Sequence, residues 1–509
     1  MKIEFKNAKL FSKGHDLFDI VVNEGIISSI YPANQNSNTR SAIDLQGSWI
    51  APAFVDAHVH VTNTGVALKG LDVSGLQSYS EAQRFIGDLP KTNDILLGHG
   101  WDDSKWEKTA DSDLFPEGAG PIYMSRIDAH SALVSQSLLN LVPAARNVAG
   151  WDERLPLTQD AHGIVRDFAY QNLTDAQRKS YIDSALKGFA SNGISAIEEM
   201  AGPKISSFTD AEIVSESTKD FGIGLKLWWG EIFGFENARK LAAYGCGGDL
   251  FIDGSLGSKT ALISSKYSDE TNGRQYISEE DCVEHILKCY EFQMPTSFHV
   301  IGDASIEIAL KSFEKAKSII GGSFNHLPHR LEHVEMLDDN QLKRAVNLGL
   351  IFSMQPQFDS YWAGVDNMYH NRIGERWKEM NPFRSILKSG GELVFSSDAP
   401  VTNINPWETI RAALNMANPL NSISYRAAFK AHTNSRNSNK DIAPGNKAEF
   451  AIWQVNDWQD LKPTDNRDKW STDSRSFPVD FPSLNDLPEC LATFSSGRAI
   501  FSNLDGLDV

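Results

Sequence analysis

The sequence predicts an α/β protein built on eight parallel strands, and three observations carry that prediction. Short apolar runs alternate with helical stretches through the middle of the chain, eight such runs can be counted, and the two ends read instead as small β segments. Strands alternating with helices argue for βα units around a parallel sheet. Eight is the count of a (β/α)8 TIM barrel, although a doubly wound sheet fits the periodicity nearly as well.

The runs are AFVDAHV at 53–59, ISAIE at 194–198, IGLKLWW at 223–229, DLFID at 249–253, TSFHV at 296–300, RLEHV at 330–334, LIFSMQ at 350–355 and ELVFSS at 392–397. Residues 1–50 hold MKIEFKNAKLF, DIVVNEGIISSIYP and AIDLQGSWIAP, short strands separated by turns. Near the other end, APGNKAEFAIWQV and LATFSSGRAIFS repeat that texture around Pro-Gly and Ser-Gly turns. The ends are expected to pair into one β domain from residues 1–50 and 440–509, leaving 51–439 for the barrel. Between about 66 and 190 the rhythm breaks, with Pro and Gly clusters and the Trp-rich GWDDSKW at 100–106. A stretch that long is read as an insertion after the first strand, of the kind that forms a lid or a substrate-facing lobe.

Composition removes several classes of function. Of 509 residues, 48 are Lys or Arg and 66 Asp or Glu, giving a net charge of -18 that repels nucleic acid and anionic membranes. The four cysteines, Cys246, Cys282, Cys289 and Cys490, show no C-x-x-C spacing, so reduced, structural thiols are expected. No signal-peptide pattern opens the chain, and no apolar run reaches membrane-spanning length. A cytoplasmic enzyme acting on a small molecule is expected, with a homo-oligomer left open. G-x-G-x-x-G, P-loop, G-x-S-x-G and EF-hand patterns are all missing.

The chemistry begins with His58 and His60 in AFVDAHVHV. On a strand, residues two apart face the same way, so both imidazoles converge on one point. The bland alternative is a pair of polar residues on a half-exposed strand. Three further residues change the balance: His299 in TSFHVIGD, His333 in RLEHVEM and Asp398 in LVFSSDAP close later predicted strands. In a barrel those ends share one mouth, so ligands far apart in sequence can meet on a metal.

The order H-x-H, His, His, Asp resembles the amidohydrolase superfamily. The segments APAFVDAHVH, SRIDAHSALVSQSLL, DLFIDGSLGSKTAL, FHVIGDASIE, RLEHVEM, FSSDAPV and APGNKAEFAIW look like its branch of metal-dependent hydrolases related to YtcJ and to N-substituted formamide deformylases. That resemblance implies a (β/α)8 barrel flanked by a composite β-sandwich from both termini. It implies a divalent transition metal, zinc first with iron or manganese as alternatives, held by His58, His60, His299 and Asp398. Asp398 would also accept a proton from metal-bound water. His333 would bind a second metal or hydrogen-bond the attacking water and the developing oxyanion. The implied reaction is cleavage of an amide, formamide or cyclic amide C–N bond by metal-bound hydroxide.

One departure stands out. Two-metal relatives carry a carbamylated lysine on the fourth strand, and here that place holds Asp249, which is several ångströms shorter. One tightly held ion is therefore favoured, with a second possible. Glu199, after ISAIE, is another candidate bridging carboxylate, its alternative being a solvated loop charge; Lys259 lies beyond the strand. Trp101, Asp128, His130 and Asp253 are candidate pocket residues, each with a scaffold role as the alternative. Deamination of an aromatic amine and a non-catalytic binding barrel are the rival functions.

Overall fold

The computed structural model describes residues 2–11, 13, 15–33, 42–103, 106–126, 131–433, 442–460 and 480–509. Two compact units emerge, one comprising Met1–His60, Leu186–Ile205 and Thr218–Val509, the other Val61–Ala185 with Ser206–Ser217.

The first unit holds the barrel, and all eight apolar runs contribute to its wall. Phe54–Val59, Ile194–Ala201 and Gly224–Trp229 form one parallel ladder, and Ser297–Val300, Arg330–His333, Ile351–Met354 and Glu392–Phe395 form another. The fourth position is irregular. Residues 245–251 join the two ladders through single parallel bridges, Trp228 with Gly245 and Phe251 with His299. The seam closes where Val59 bridges Ala399, the Asp398 amide donates to the His58 carbonyl at 2.9 Å, and the His60 amide donates to that of Ala399 at 2.9 Å. The parallel barrel thus replaces the doubly wound alternative.

Helices return the chain between strands. Asp339–Leu348 shows why they begin and end where they do: Asp338 caps its amides, Gln341 bonds back to complete a capping box, and Gly349 ends it at a φ of 70°. No helix among the described residues is long and apolar enough to cross a membrane.

Strands from the two chain ends meet in one sheet. Its order is Arg498–Ser502, Glu489–Ser495, Phe450–Gln454, Trp49–Pro52, Lys2–Leu10, Leu17–Asn23 and Ile26–Pro32, with Ile43–Asp44 also paired to Lys2–Leu10. The sheet curls over a core of Phe5, Ile20, Ile50, Phe450, Ile452 and Phe494, bringing its turns together at Gly25 and Gly497. Both glycines have positive φ, and a Cβ on Gly497 would lie 2.2 Å from the Gly25 Cα, so neither turn tolerates a side chain. Trp453 of this sheet packs edge-on to Trp407 at 5.1 Å, and Trp407 meets Phe54 of the first barrel strand at 5.0 Å. Apolar burial thereby anchors the strand that ends in the H-x-H pair.

The second unit contains most of the predicted insertion. It builds its own five-stranded sheet and two apolar clusters, one around Leu97, Tyr123 and Leu138, the other around Val73, Trp101 and Met124. A buried ion pair from Arg178 to Asp210 ties segment 206–217 into this unit, a contact that no local sequence pattern signals.

Three buried histidines behind the barrel wall remain neutral. His285 accepts from the Phe233 amide at 3.1 Å and donates to the Cys246 carbonyl at 3.0 Å; burial pulls its pKa down to about 4. Burial similarly lowers His329 to about 3 and His432 to about 4. The unfolded chain titrates near 6.5, so this stabilisation is complete above that pH and is lost as the pH falls toward 4. Asp56 and Asp359, pushed up to about 6 by burial, act in the opposite sense, so a single variant is the cleaner probe. In urea titrations, His285→Gln should lose about 2 kcal/mol less stability than wild type between pH 7 and pH 5. Identical losses would show that His285 takes up its proton in the folded state.

Candidate metal centre

The carboxyl ends of the barrel strands gather six side chains into one buried cluster. His58 and His60 come from the first strand and its continuation, Asp249 from the irregular fourth segment, His299 and His333 from the fifth and sixth strands, and Asp398 from beyond the eighth. His333 and Asp398 both adopt left-handed backbone, at φ of 69° and 54°. Such conformations cost energy in non-glycine residues and persist where surrounding structure enforces them.

Asp249 lies at the centre. Its Oδ2 is 3.3 Å from His58 Nε2 and 3.2 Å from His60 Nε2. Its Oδ1 is 3.2 Å from His299 Nδ1 and 3.3 Å from His333 Nε2. Asp398 adds an oxygen 3.1 Å from His60 Nε2 and 3.5 Å from His58 Nε2. Three overlapping ligand groups result: His58, His60 and Asp249; His58, His333 and Asp398; Asp249, His299 and His333.

This donor set fits a divalent cation. His58 Nε2 and Asp398 Oδ1 are buried, lie 3.5 Å apart and have no hydrogen-bond partner among the described residues, which is costly unless a cation lies between them. Two buried carboxylates also demand positive charge. Burial favours neutral His60, yet Asp249 and Asp398 overcome it and push its pKa up to about 10. Burial likewise opposes ionisation of Asp249, but His58, then His299 and His333, hold it well below the usual carboxylate range.

Each imidazole is oriented by a second contact. His58 Nδ1 lies 2.9 Å from Glu332 Oε2, His60 Nδ1 3.1 Å from the Met200 carbonyl, His333 Nδ1 3.0 Å from Gln355 Oε1 and His299 Nε2 3.3 Å from the Gly254 carbonyl. Such partners fix the tautomer and leave the other nitrogen's lone pair for a metal. Glu332 and Gln355 escaped the sequence reading. Strand alternation places Glu332 opposite His333, but the left-handed turn at His333 brings both toward the same cluster.

The other candidates fall elsewhere. Glu199 is buried in the second strand, opposite Val59 and Leu227 in register, and belongs to none of the three ligand groups among the described residues. Its solvated-loop alternative is excluded by that burial. Asp253 accepts the backbone amides of Leu262, Ile301 and Gly302 at 2.8 to 3.0 Å, fastening a loop to the end of the fifth strand. Trp101 is packed in the second unit's core, its indole donating to the Met124 carbonyl at 2.9 Å. Lys259 pairs with Asp269. Asp128 and His130 lie outside the described residues.

A parallel barrel with histidines and aspartates converging at its strand ends defines a metal-dependent hydrolase. The chain belongs to the amidohydrolase family, whose model matches residues 41–501, and it is a hydrolytic enzyme acting on carbon–nitrogen bonds other than peptide bonds. It is similar to the YtcJ protein of Bacillus subtilis, at 28% identity over 409 residues, covering 73% of this chain and 74% of that protein. A shorter match links it to the N-substituted formamide deformylase of Arthrobacter pascens, at 25% identity over 142 residues, 28% of this chain and 26% of that one. In fold it is similar to an uncharacterized metal-dependent hydrolase from Pyrococcus furiosus, with a TM-score of 0.73 and 23% identity, covering 89% of this chain and 98% of that chain.

Proposed function

We propose that the protein hydrolyses the C–N bond of a small amide, formamide or cyclic amide at a site for two divalent ions bridged by Asp249. One observation carries the reading: each Asp249 oxygen faces a different pair of histidines. The length of an aspartate favours a single ion; what supports two is that both Asp249 oxygens lie within 3.3 Å of histidine nitrogens, each oxygen with its own pair. His58, His60 and Asp398 would hold one ion, and His299 and His333 the other, with Asp249 offering an oxygen to each. Zinc is the first choice, because neutral imidazoles and carboxylates in a compact, buried set suit it.

Ions in that position polarise a carbonyl and acidify water. The protein's own contribution is then orientation and proton movement. Asp398 Oδ1 has no hydrogen-bond partner among the described residues and faces the H-x-H pair, so it is placed to take a proton from the attacking water and return it to the leaving nitrogen. The likeness to a formamide deformylase supports formamides within the substrate class.

Metal analysis of protein purified without chelator should give close to two equivalents of transition metal per chain. Stripping with a chelator should abolish amide hydrolysis, and readdition should restore it. Full activity at one equivalent would sink the paired-ion reading.

A further inference from the structure

The interior of this barrel carries a chain of alternating charges beneath the metal centre. Arg330 and Glu332, two apart on the sixth strand, point the same way. Arg330 Nε lies 2.9 Å from Glu332 Oε1 and its Nη2 lies 2.8 Å from Oε2, a bidentate pair. Other guanidinium hydrogens go to the Ala57 carbonyl at 2.8 Å, Ser353 Oγ at 2.7 Å and Glu198. Glu198 in turn accepts from the Trp228 indole at 3.0 Å and from Lys226 Nζ at 3.0 Å. The sequence Lys226, Glu198, Arg330, Glu332 alternates in sign and ends on His58.

Glu332 is the point where this chain meets the metal centre. Arg330 and the Ser297 hydroxyl donate to its oxygens, and Oε2 also lies 2.9 Å from His58 Nδ1, placed to accept from it. With Nδ1 on Glu332, the opposite nitrogen of His58, Nε2, points at Asp249 and Asp398. The second contacts of His60, His299 and His333 go to neutral carbonyl or amide oxygens. An anionic acceptor makes an imidazole a stronger donor to a metal than a neutral one does.

We propose that Glu332, clamped by Arg330, is a positioning residue that selectively raises the metal affinity of the His58–His60 half of the centre and leaves the His299–His333 half unchanged. The inequality of the two halves rests on the paired-ion reading; the action of Glu332 on His58 does not.

The test is stepwise zinc binding to metal-stripped full-length protein, followed by competition with a chromophoric chelator, for wild type, Glu332→Gln and Glu332→Asp. The aspartate variant keeps a negative charge for Arg330 while withdrawing the acceptor from His58 by one methylene, so it guards against misfolding of the glutamine variant. One zinc step is expected to weaken about 10- to 100-fold in both variants while the other stays within about twofold. The cobalt-substituted protein should show an altered absorption spectrum for the weakened step alone. Equal weakening of both steps would reveal a general loosening and overturn the proposal, as would no change in either. If wild type shows a single step, the paired-ion reading fails, and an unaltered affinity of that step in both variants would then overturn the role of Glu332 as well.

Discussion

Asp249→Ala should strip the centre of at least one metal ion and lower kcat/KM for amide hydrolysis by about a thousandfold or more. Its carboxylate contacts all four ligand histidines, so its removal takes the shared ligand from both halves at once. The imidazoles would then hold metal with Asp398 as the one remaining carboxylate ligand. Loss of Lewis-acid stabilisation is worth several kcal/mol, and each 1.36 kcal/mol is a factor of ten in rate, which sets the expected scale. Asp249→Asn keeps the shape but not the charge and should fall between alanine and wild type. Elemental analysis and steady-state kinetics on the same preparations check both. Retention of two equivalents and of a tenth of the activity in the alanine variant would remove Asp249 from the centre.

Asp398→Asn should be the purest loss of chemistry. Asparagine preserves size and the backbone hydrogen bond to His58, so fold and thermal stability should hold. What disappears is the anionic oxygen placed 3.1 Å from His60 Nε2 and 3.5 Å from His58 Nε2, and with it the ability to accept a proton. General acid–base groups contribute about 10²- to 10⁴-fold, and a residue that also ligates metal belongs at the upper end. The expected kcat loss is therefore about 10³- to 10⁴-fold, with unchanged circular dichroism. A variant within tenfold of wild type would show that another group moves the proton.

Much of this architecture was legible in the sequence because the barrel writes it locally. Each wall strand is a short apolar run, and the run DLFID marked the fourth position although the backbone there is too irregular to form a regular ladder. The residues His58, His60, His299, His333 and Asp398 were legible because a parallel barrel sends all strand ends to one mouth, so order along the chain becomes proximity in space. Two features were hidden for physical reasons. That Asp249 touches four histidines depends on tertiary packing, which side-chain length alone does not reveal. Glu332 was concealed by alternation, the rule that exposed the H-x-H pair, because the positive φ at His333 suspends that rule locally. Glu198 and Arg330 are charged residues inside a barrel that ordinarily fills with apolar layers, and only their partners make them intelligible there.

The carboxylate between the two histidine pairs has one further consequence. A carbamylated lysine must be assembled after synthesis from an amine and carbon dioxide, and it reverts when the metals leave in acid. Asp249 is complete when the ribosome finishes the chain. On the proposed paired-ion reading, the centre would mature without dissolved carbon dioxide, and metal could leave and return without the bridging group being remade.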